Sequence, residues 1–591
     1  RVLAGIVLVI TMGQSLANVT EKITEELKSQ DLPGAVWVTV QSTDDIELGS
    51  AGLKNAYSRQ PMQNTDRVHV GSVVKPLIAL GILHLETLGK LSLDTPIQRI
   101  VPNIEIDNPW DSTNPVTVRH LLDQTSGLDD ARFWQLFSEQ ASPDSPLSDA
   151  FKGSDDLLRV RSRPGSHHSY SNMGYTLLGM VIESVTEERY EAYLNRELLG
   201  TLSMNDSTFH FVSQQGADID SRLAMGHFEN GKTQYAVPIV LRPASQFTTT
   251  AEDMSKLLRF LMSDGRINGQ VFISPNRLHT MGTPAGTESA KAGFAVGYGL
   301  GMFRRDRLGV VAPCHGGTTV GFNAMFCIFP EYNKAFFVAM NGDSETADYT
   351  RFDALLIEEL KLPIKPKATI GNLSANHKKY TGYYVPSPNR MQKFALLDIL
   401  FGYIRVKQTA DGLVLQSFQK DSQPLYSVTS GGLFRLADRL EPSHVFFIDS
   451  DGVKNMGRGT QSYRFMPAWQ LFLGWASLGL GALGLAWLLL SGVVRTLLRK
   501  WDGRHPVLIP FIGILAMALP VSLFQMQSFL AIGDITMASV LLMIFSASLP
   551  LAMGVGVWQS LQNRPMRPLG GLELAAMLSV LQSSLLLAYW G

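Results

Sequence analysis

Two residues three apart, Ser72 and Lys75, open the stretch "HVGSVVKPLIALGILHL" between His69 and Leu85. On a helix that spacing puts a hydroxyl and an amine on one face. The positive end of a helix favours the anion developing on a nucleophile, and a neighbouring lysine can accept or relay its proton. Alone, the pattern also fits a capping serine followed by a solvated lysine. Further on, "RPGSHHSYSNMGYTLLGMVIE" carries Tyr170-Ser171-Asn172 after the turn Pro164-Gly165 and ahead of an apolar helix. Beside Lys75, Tyr170 would ionise more readily than an isolated phenol and serve as general base. The plainer reading is a core tyrosine with a satisfied hydroxyl. A third segment, "VVAPCHGGTTVGFNAMFCIFP", reads as strand, glycine-rich turn and strand, with His315-Gly316-Gly317 at the strand end. Glycines there let backbone approach a ligand, and N–H groups along such an edge can stabilise an oxyanion. A hairpin turn with an exposed histidine is the alternative.

In the order S-x-x-K, Y-x-N, H-x-G, these motifs resemble the serine β-lactamase and penicillin-binding-protein superfamily, in its class C-like branch. The resemblance covers about residues 22 to 360 and extends to "GKLSLDTPIQRIVPNI", "VTVRHLLDQTSGL", "ELLGTLSMNDSTF", "FTTTAEDMSKLLRFL" and "YGLGMF". It implies an α+β fold: a helical subdomain plus a central antiparallel sheet flanked by helices, with the site between them. It implies Ser72 as the acylated nucleophile, with Lys75 and Tyr170 sharing the proton traffic. Asn172 would bond substrate or Lys75, and the N–H groups of Ser72 and Thr318 would form the oxyanion hole. His315 would border the cleft, with Gly317 on the same substrate-binding edge. One departure bears on substrate. Penicillin-interactive members usually carry Lys-Thr-Gly where this chain has His315-Gly316-Gly317, so a permanent cation and a hydroxyl are both missing. Esterase, D-amino-acid-type peptidase or amidase activity is therefore expected ahead of β-lactam turnover. A partly protonated His315 could still meet an anion.

These motifs need a scaffold, and the chain is long enough for several domains, with 591 residues. From about 20 to 362, alternating strands ("AVWVTVQS", "AFFVAMN") mix with amphipathic helices ("MSKLLRFLMSDG"). "KLPIKPKATIGN" reads as a linker. Short alternating runs between 370 and 465 predict a small antiparallel β domain. Residues 466–591 form a membrane region, with apolar stretches near 467–494, 506–532, 535–558 and 570–590. A re-entrant pair around Asp534 is the competing arrangement for the middle two. Arg495, Arg499, Lys500 and Arg504 follow the first span and Arg564 and Arg567 the third, which places both loops in the cytoplasm and the large N-terminal region outside. Residues 1–17 read as a secretory signal, with an uncleaved anchor as the alternative. This tail gives a second resemblance, to membrane-bound class C-like peptidases that remove an acylated D-asparagine group from bacterial secondary metabolites, which typically lack the β segment.

The 51 basic and 52 acidic residues leave a net charge of −1, which argues against nucleic acid as a partner. The expected partners are a small-molecule or peptide substrate and membrane lipid. No nucleotide-binding loop or zinc-ligand pattern stands out, so no cofactor or metal is expected. His120, His167 and His168 read as structural. Cys314 and Cys327 flank one hairpin; spacing leaves open whether they pair. The resulting expectation is a membrane-tethered, exported serine hydrolase of a peptide, amide or ester. A penicillin-recognising sensor ectodomain and a transporter-like role for the spans are the competing classes. Few ionisable residues in the spans, with Asp534 and Glu573 near their edges, argue against an ion pathway.

Overall fold

The computed structural model describes residues 19–363, 377–409, 412–428, 431–562 and 569–590. The expected signal segment, most of the linker, and Arg564 and Arg567 lie outside them. The chain divides into two compact units: 1–131, 141–375 and 424–462 in the first, and 132–140, 376–423 and 463–591 in the second.

The first unit is built on an antiparallel sheet. Its strands are β1 (Gly34–Val40), β2 (Ile46–Asn55), β3 (Gln60–Pro61), β4 (Gly297–Gly299), β5 (Met302–Arg307), β6 (Val310–Thr319), β7 (Phe322–Phe329) and β8 (Lys334–Met340), in the order β4-β5-β6-β7-β8-β1-β2-β3. All seven residues of β1 are buried, the mark of a strand covered on both faces. Ala35 and Trp37 of β1, with Phe336, Val338 and Met340 of β8, join a core with Ile23 and Leu27 of the helix over 19–29 and Phe352 and Leu356 of a later helix. The opposite face meets the helix Ala251–Leu261. The helices used below are α1 (Val74–Thr87), α2 (Val118–Leu122), α3 (Asn172–Thr186), α4 (Ala251–Leu261), α5 (Glu288–Lys291) and α6 (Thr350–Glu359). Residues 74 to 85 of α1 are all buried, so this helix is core on every side.

Cys314 and Cys327 stand directly opposite each other on β6 and β7 and are joined by a disulfide, which settles the pairing that spacing left open. The glycines of the third motif are not in a turn. Strand β6 runs through His315, Gly316 and Gly317 to Thr319, and the reversal falls at Val320-Gly321, where Gly321 has φ +77°.

A closed antiparallel barrel follows: β9 (Gly382–Pro386), β10 (Ile404–Thr409), β11 (Gly412–Ser417), β12 (Gln423–Ser427), β13 (Leu433–Arg435), β14 (His444–Ile448), β15 (Lys454–Arg458) and β16 (Gln461–Met466). The second unit ends in long apolar helices: α7 (Ala468–Leu497), α8 (Leu508–Ala516), α9 (Ala518–Met526), α10 (Met537–Gln562) and α11 (Gly570–Trp590). With α8 and α9 taken as one span, four helices are long and apolar enough to cross a membrane. The break between α8 and α9 has a covalent cause: Pro520 has no N–H for the carbonyl of Ala516. Outward residues such as Leu473, Leu483, Met543 and Leu551 are each at least 60% exposed, a surface suited to lipid rather than water. Where α7 meets α11, Gly481 and Gly484 leave no room for a side chain against Ser583 and the Ala576 carbonyl, the close approach that small residues permit. Arg495 and Glu573, at the same end of those helices, form an ion pair. Asp534 lies between α9 and α10, outside both helices, and its carboxylate accepts from Ser138 Oγ and the Glu139 N–H in the same unit.

Candidate active site

Ser72 sits in a single 3₁₀ turn, Gly71–Val73, that runs directly into α1. Two glycines let that turn lie against β6. Gly71 has φ +52°, and a Cβ there would come within 2.6 Å of the Thr318 carbonyl oxygen. A Cβ on Gly317 would come within 2.6 Å of the Ser72 nitrogen and would strike the Val70 carbonyl. Backbone therefore meets backbone, and the amides of Ser72 and Thr318 border one small region. The glycines inside β6 are explained by this approach.

At the second position of α1, Lys75 is fully buried. Its Nζ donates to the Ala244 carbonyl at 2.6 Å and to Ser72 Oγ at 2.8 Å. The ammonium also lies 5.0 Å from the ring centre of Tyr170 and 5.5 Å from that of Tyr175. A buried ammonium persists only where acceptors and π faces replace its water, and these four groups do so. The Tyr170 hydroxyl reaches Ser72 Oγ from the other side at 3.1 Å. The nucleophile candidate thus has an amine and a phenol, both within hydrogen-bond reach.

The loop bearing Tyr170 is held by the segment after α2. Gln124 Oε1 accepts the Ser171 N–H at 2.7 Å, and Ser171 Oγ donates to the Asp129 carbonyl at 2.7 Å while capping α3 at the Gly174 N–H. Asp130 accepts the Asn172 N–H at 2.8 Å and its side-chain amide at 3.4 Å. Arg161 pairs with Asp129 at 3.2 Å. Behind Tyr170 stand Phe303, nearly parallel at 6.4 Å, and Tyr298, edge-on at 6.4 Å. The Tyr298 hydroxyl bonds both the Tyr175 hydroxyl and His315 Nε2, each at 3.2 Å.

His315 is only 1% exposed, where the resemblance places it at the cleft rim. Its Nδ1 lies 2.7 Å from the Gly316 carbonyl. Burial first, and then the Lys75 charge, push its pKa down to about 3, so at neutral pH it is an uncharged brace and offers an anion no cation. Thr318, by contrast, is exposed, with Oγ1 accepting from Asn323 Nδ2 at 3.0 Å. Ser72, Lys75, Tyr170, Gly317 and Thr318 are brought together; Asn172 anchors the start of α3 to Asp130. Sequence reading missed Ala244, Asp130, Tyr175 and Tyr298. Tyr298 lies within the "YGLGMF" stretch and Asp130 just past "DQTSGL", but neither carries a spacing that marks a role. Ala244 contributes a carbonyl, which no residue type reveals.

Beside this centre, a small hollow of about 20 Å³, room for about one water, is lined by His69, Gln246, Phe211, Val237, Ile239 and Val320, with Ser245 and Thr319 linking it to the Lys75 and Thr318 surroundings. Geometry of this kind belongs to serine hydrolases of β-lactamase-like fold, and comparison with known families agrees: residues 19–359 match the Beta-lactamase family model, and the chain belongs to that family. Among curated proteins it is similar to Protein flp of Staphylococcus aureus (strain N315), 24% identical over 417 residues, covering 68% of this chain and 77% of that one. Among solved structures it is similar to SurE, with TM-score 0.53, 20% identity, and coverage of 77% of this chain and 100% of SurE. SurE with D-Leu gives TM-score 0.52 at 19% identity, over 77% of this chain and 100% of that one. That coverage exceeds the share of the chain taken up by residues 19–359, so the shared fold is not confined to the family match.

Proposed function

We propose that this protein is a membrane-tethered serine hydrolase that cleaves an amide or ester through an acyl-enzyme on Ser72. The observation that carries the reading is Ser72 Oγ held between Lys75 Nζ at 2.8 Å and the Tyr170 hydroxyl at 3.1 Å. In acylation, with Tyr170 as phenolate beside the Lys75 ammonium, Oγ attacks the scissile carbonyl carbon and its proton passes to Tyr170. The oxyanion is met by the N–H groups of Ser72 and Thr318. Collapse of the tetrahedral adduct breaks the bond to the leaving amine or alcohol, which takes a proton from Tyr170. Water then attacks the ester on Ser72, giving its proton to the same pair, and the acid leaves as Oγ is reprotonated.

A neutral, buried His315 in place of a lysine favours peptidase, amidase or esterase activity over β-lactam turnover, because this strand offers a substrate carboxylate no charge. D-Leu, the ligand with which SurE was solved, makes D-leucyl derivatives the first to try. The four spans would anchor the enzyme, with the catalytic unit on the periplasmic or extracellular side.

The test is turnover of matched D- and L-aminoacyl anilides, aryl esters and a chromogenic cephalosporin by the full-length protein and Ser72→Ala. Wild type should cleave an anilide or ester and form a covalent adduct at Ser72 with a fluorophosphonate. Ser72→Ala should lose about 10³-fold or more. Folded wild type that is neither labelled at Ser72 nor active on any substrate overturns the reading.

A further inference from the structure

A second cluster of chemically competent side chains lies apart from Ser72. His167 precedes Tyr170 by three positions, Glu288 is the first residue of α5, and Asp449 follows strand β14. All three are half-buried, and one ligand atom from each lies within 4.8 Å of the other two. The three segments are already fastened together. The Glu288 N–H donates to the Ser166 carbonyl at 2.9 Å, and Ser450 Oγ donates to Glu288 Oε1 at 3.5 Å. The Phe447 ring covers His167 at 6.5 Å, tilted by 27°.

Two observations set the trio apart from an ordinary polar junction. His167 Nδ1 and Glu288 Oε2 are both buried atoms with no hydrogen-bond partner among the described residues. Buried polar atoms are almost always paired, so two in one cluster call for a missing partner. Asp449 is the opposite case, held rigidly. Its Oδ1 accepts the N–H groups of Asp451 and Val453 at 3.0 and 2.8 Å, and its Oδ2 accepts from Asn455 at 2.6 Å. Hydrogen-bonded support of this kind orients a carboxylate that ligates a metal.

We propose that His167, Glu288 and Asp449 bind a divalent first-row cation, Zn²⁺ or Mn²⁺. One imidazole and two carboxylates form a donor set for such ions, and the two negative charges balance the cation. Atoms bonded at about 2.1 Å to one ion at tetrahedral angles stand about 3.4 Å apart, so a pair at the 4.8 Å limit closes by about 1.4 Å on binding, with water completing the shell. The ion staples the loop that leads into Tyr170 to α5 and to the β14–β15 hairpin. The site is independent of the hydrolase reading, since none of its ligands touches Ser72.

The experiment uses full-length protein in detergent, stripped with chelator and titrated separately with Zn²⁺ and Mn²⁺. Calorimetry and metal analysis after desalting give affinity and stoichiometry. Other histidines bind Zn²⁺ weakly, so the comparison is with His167→Ala and with the isosteric Glu288→Gln, each required to match wild type in thermal midpoint when metal-free. Wild type should hold about one equivalent of one of the two ions, with affinity at least tenfold weaker in Glu288→Gln and the equivalent lost in His167→Ala. Wild type that retains neither ion, or an affinity and stoichiometry unchanged in both variants, overturns the proposal.

Discussion

Replacing Gly317 by alanine tests whether the close approach of β6 to the Ser72 turn is what builds the site. The new Cβ would lie 2.6 Å from the Ser72 nitrogen and 2.8 Å from that of Val73, besides striking the Val70 carbonyl. Ordinary contact begins near 3.4 Å and the Val70 carbonyl is nearer than either nitrogen, so strand and turn must part by more than about 1 Å. All three atoms are backbone, so no rotamer change relieves the clash. A misplacement near 1 Å costs about 10²-fold in rate when it falls between a nucleophile and the groups that stabilise its transition state. Overpacking of this kind also costs about 1–3 kcal/mol of stability. Gly317→Ala should therefore fold, with a thermal midpoint lowered by a few degrees, and lose about 10²-fold in kcat/KM on the best substrate. Its neighbour supplies the control. A Cβ on Gly316 meets Met325 Cε at 2.6 Å, the far end of a flexible side chain, so Gly316→Ala should stay within about fivefold of wild type. Steady-state kinetics, the rate of fluorophosphonate labelling and thermal melts on all three proteins decide the matter. Gly317→Ala with a native melt and activity within about threefold of wild type would refute the reasoning.

Burial holds His69, His120 and His168 down to about 4 and His315 to about 3, against 6.5 for an exposed imidazole. The unfolded chain therefore takes up these protons first, and their stabilising contribution, whole above pH 6.5, is lost as pH falls toward 4. Asp123, Asp343 and Asp353, raised to about 6 chiefly by burial, act in the opposite sense. Four imidazoles with the larger shifts outweigh three carboxyls, so the thermal midpoint should drop between pH 7 and 4.5, and the drop should shrink in His168→Gln; a midpoint flat across that range contradicts this account. Reducing the Cys314–Cys327 bond, which spans 13 positions, should cost about 3 kcal/mol and lower the midpoint by about 5 °C, read by melts with and without a reductant under non-aggregating conditions. The native cysteines are paired, so single new thiols report sidedness: Ser58→Cys, exposed on the catalytic unit, should react with an impermeant maleimide in intact cells, and Arg504→Cys, exposed in the basic loop between α7 and α8, only after lysis.

Local spacing made part of this site legible, and tertiary contact decided the rest. Ser72 and Lys75 could be matched because an interval of three carries its own geometry on a helix, and Tyr170 because its loop precedes a recognisable apolar helix. The four long apolar helices and the break at Asp534 were legible because a bilayer dictates the length of a span, although the break between α8 and α9 ahead of Pro520 required the structure. His315 is the residue whose local pattern misleads. Glycine pairs ordinarily mark turns, so the segment reads as strand, glycine-rich turn and strand, with the imidazole at the strand end bordering the cleft. In the fold the glycines lie mid-strand because another backbone crowds them, and the histidine is sealed behind Tyr298. The side-chain pattern cannot separate these cases, since both require a missing Cβ; only the element on the far side, the Ser72 turn, distinguishes them. The same holds for Ala244, whose carbonyl fixes the Lys75 ammonium, and for His167, Glu288 and Asp449, whose proximity depends on three distant segments folding together. A residue whose role is defined by what approaches it leaves little trace in its own stretch of sequence, and that is why the nucleophile was legible here while most of its supports were not.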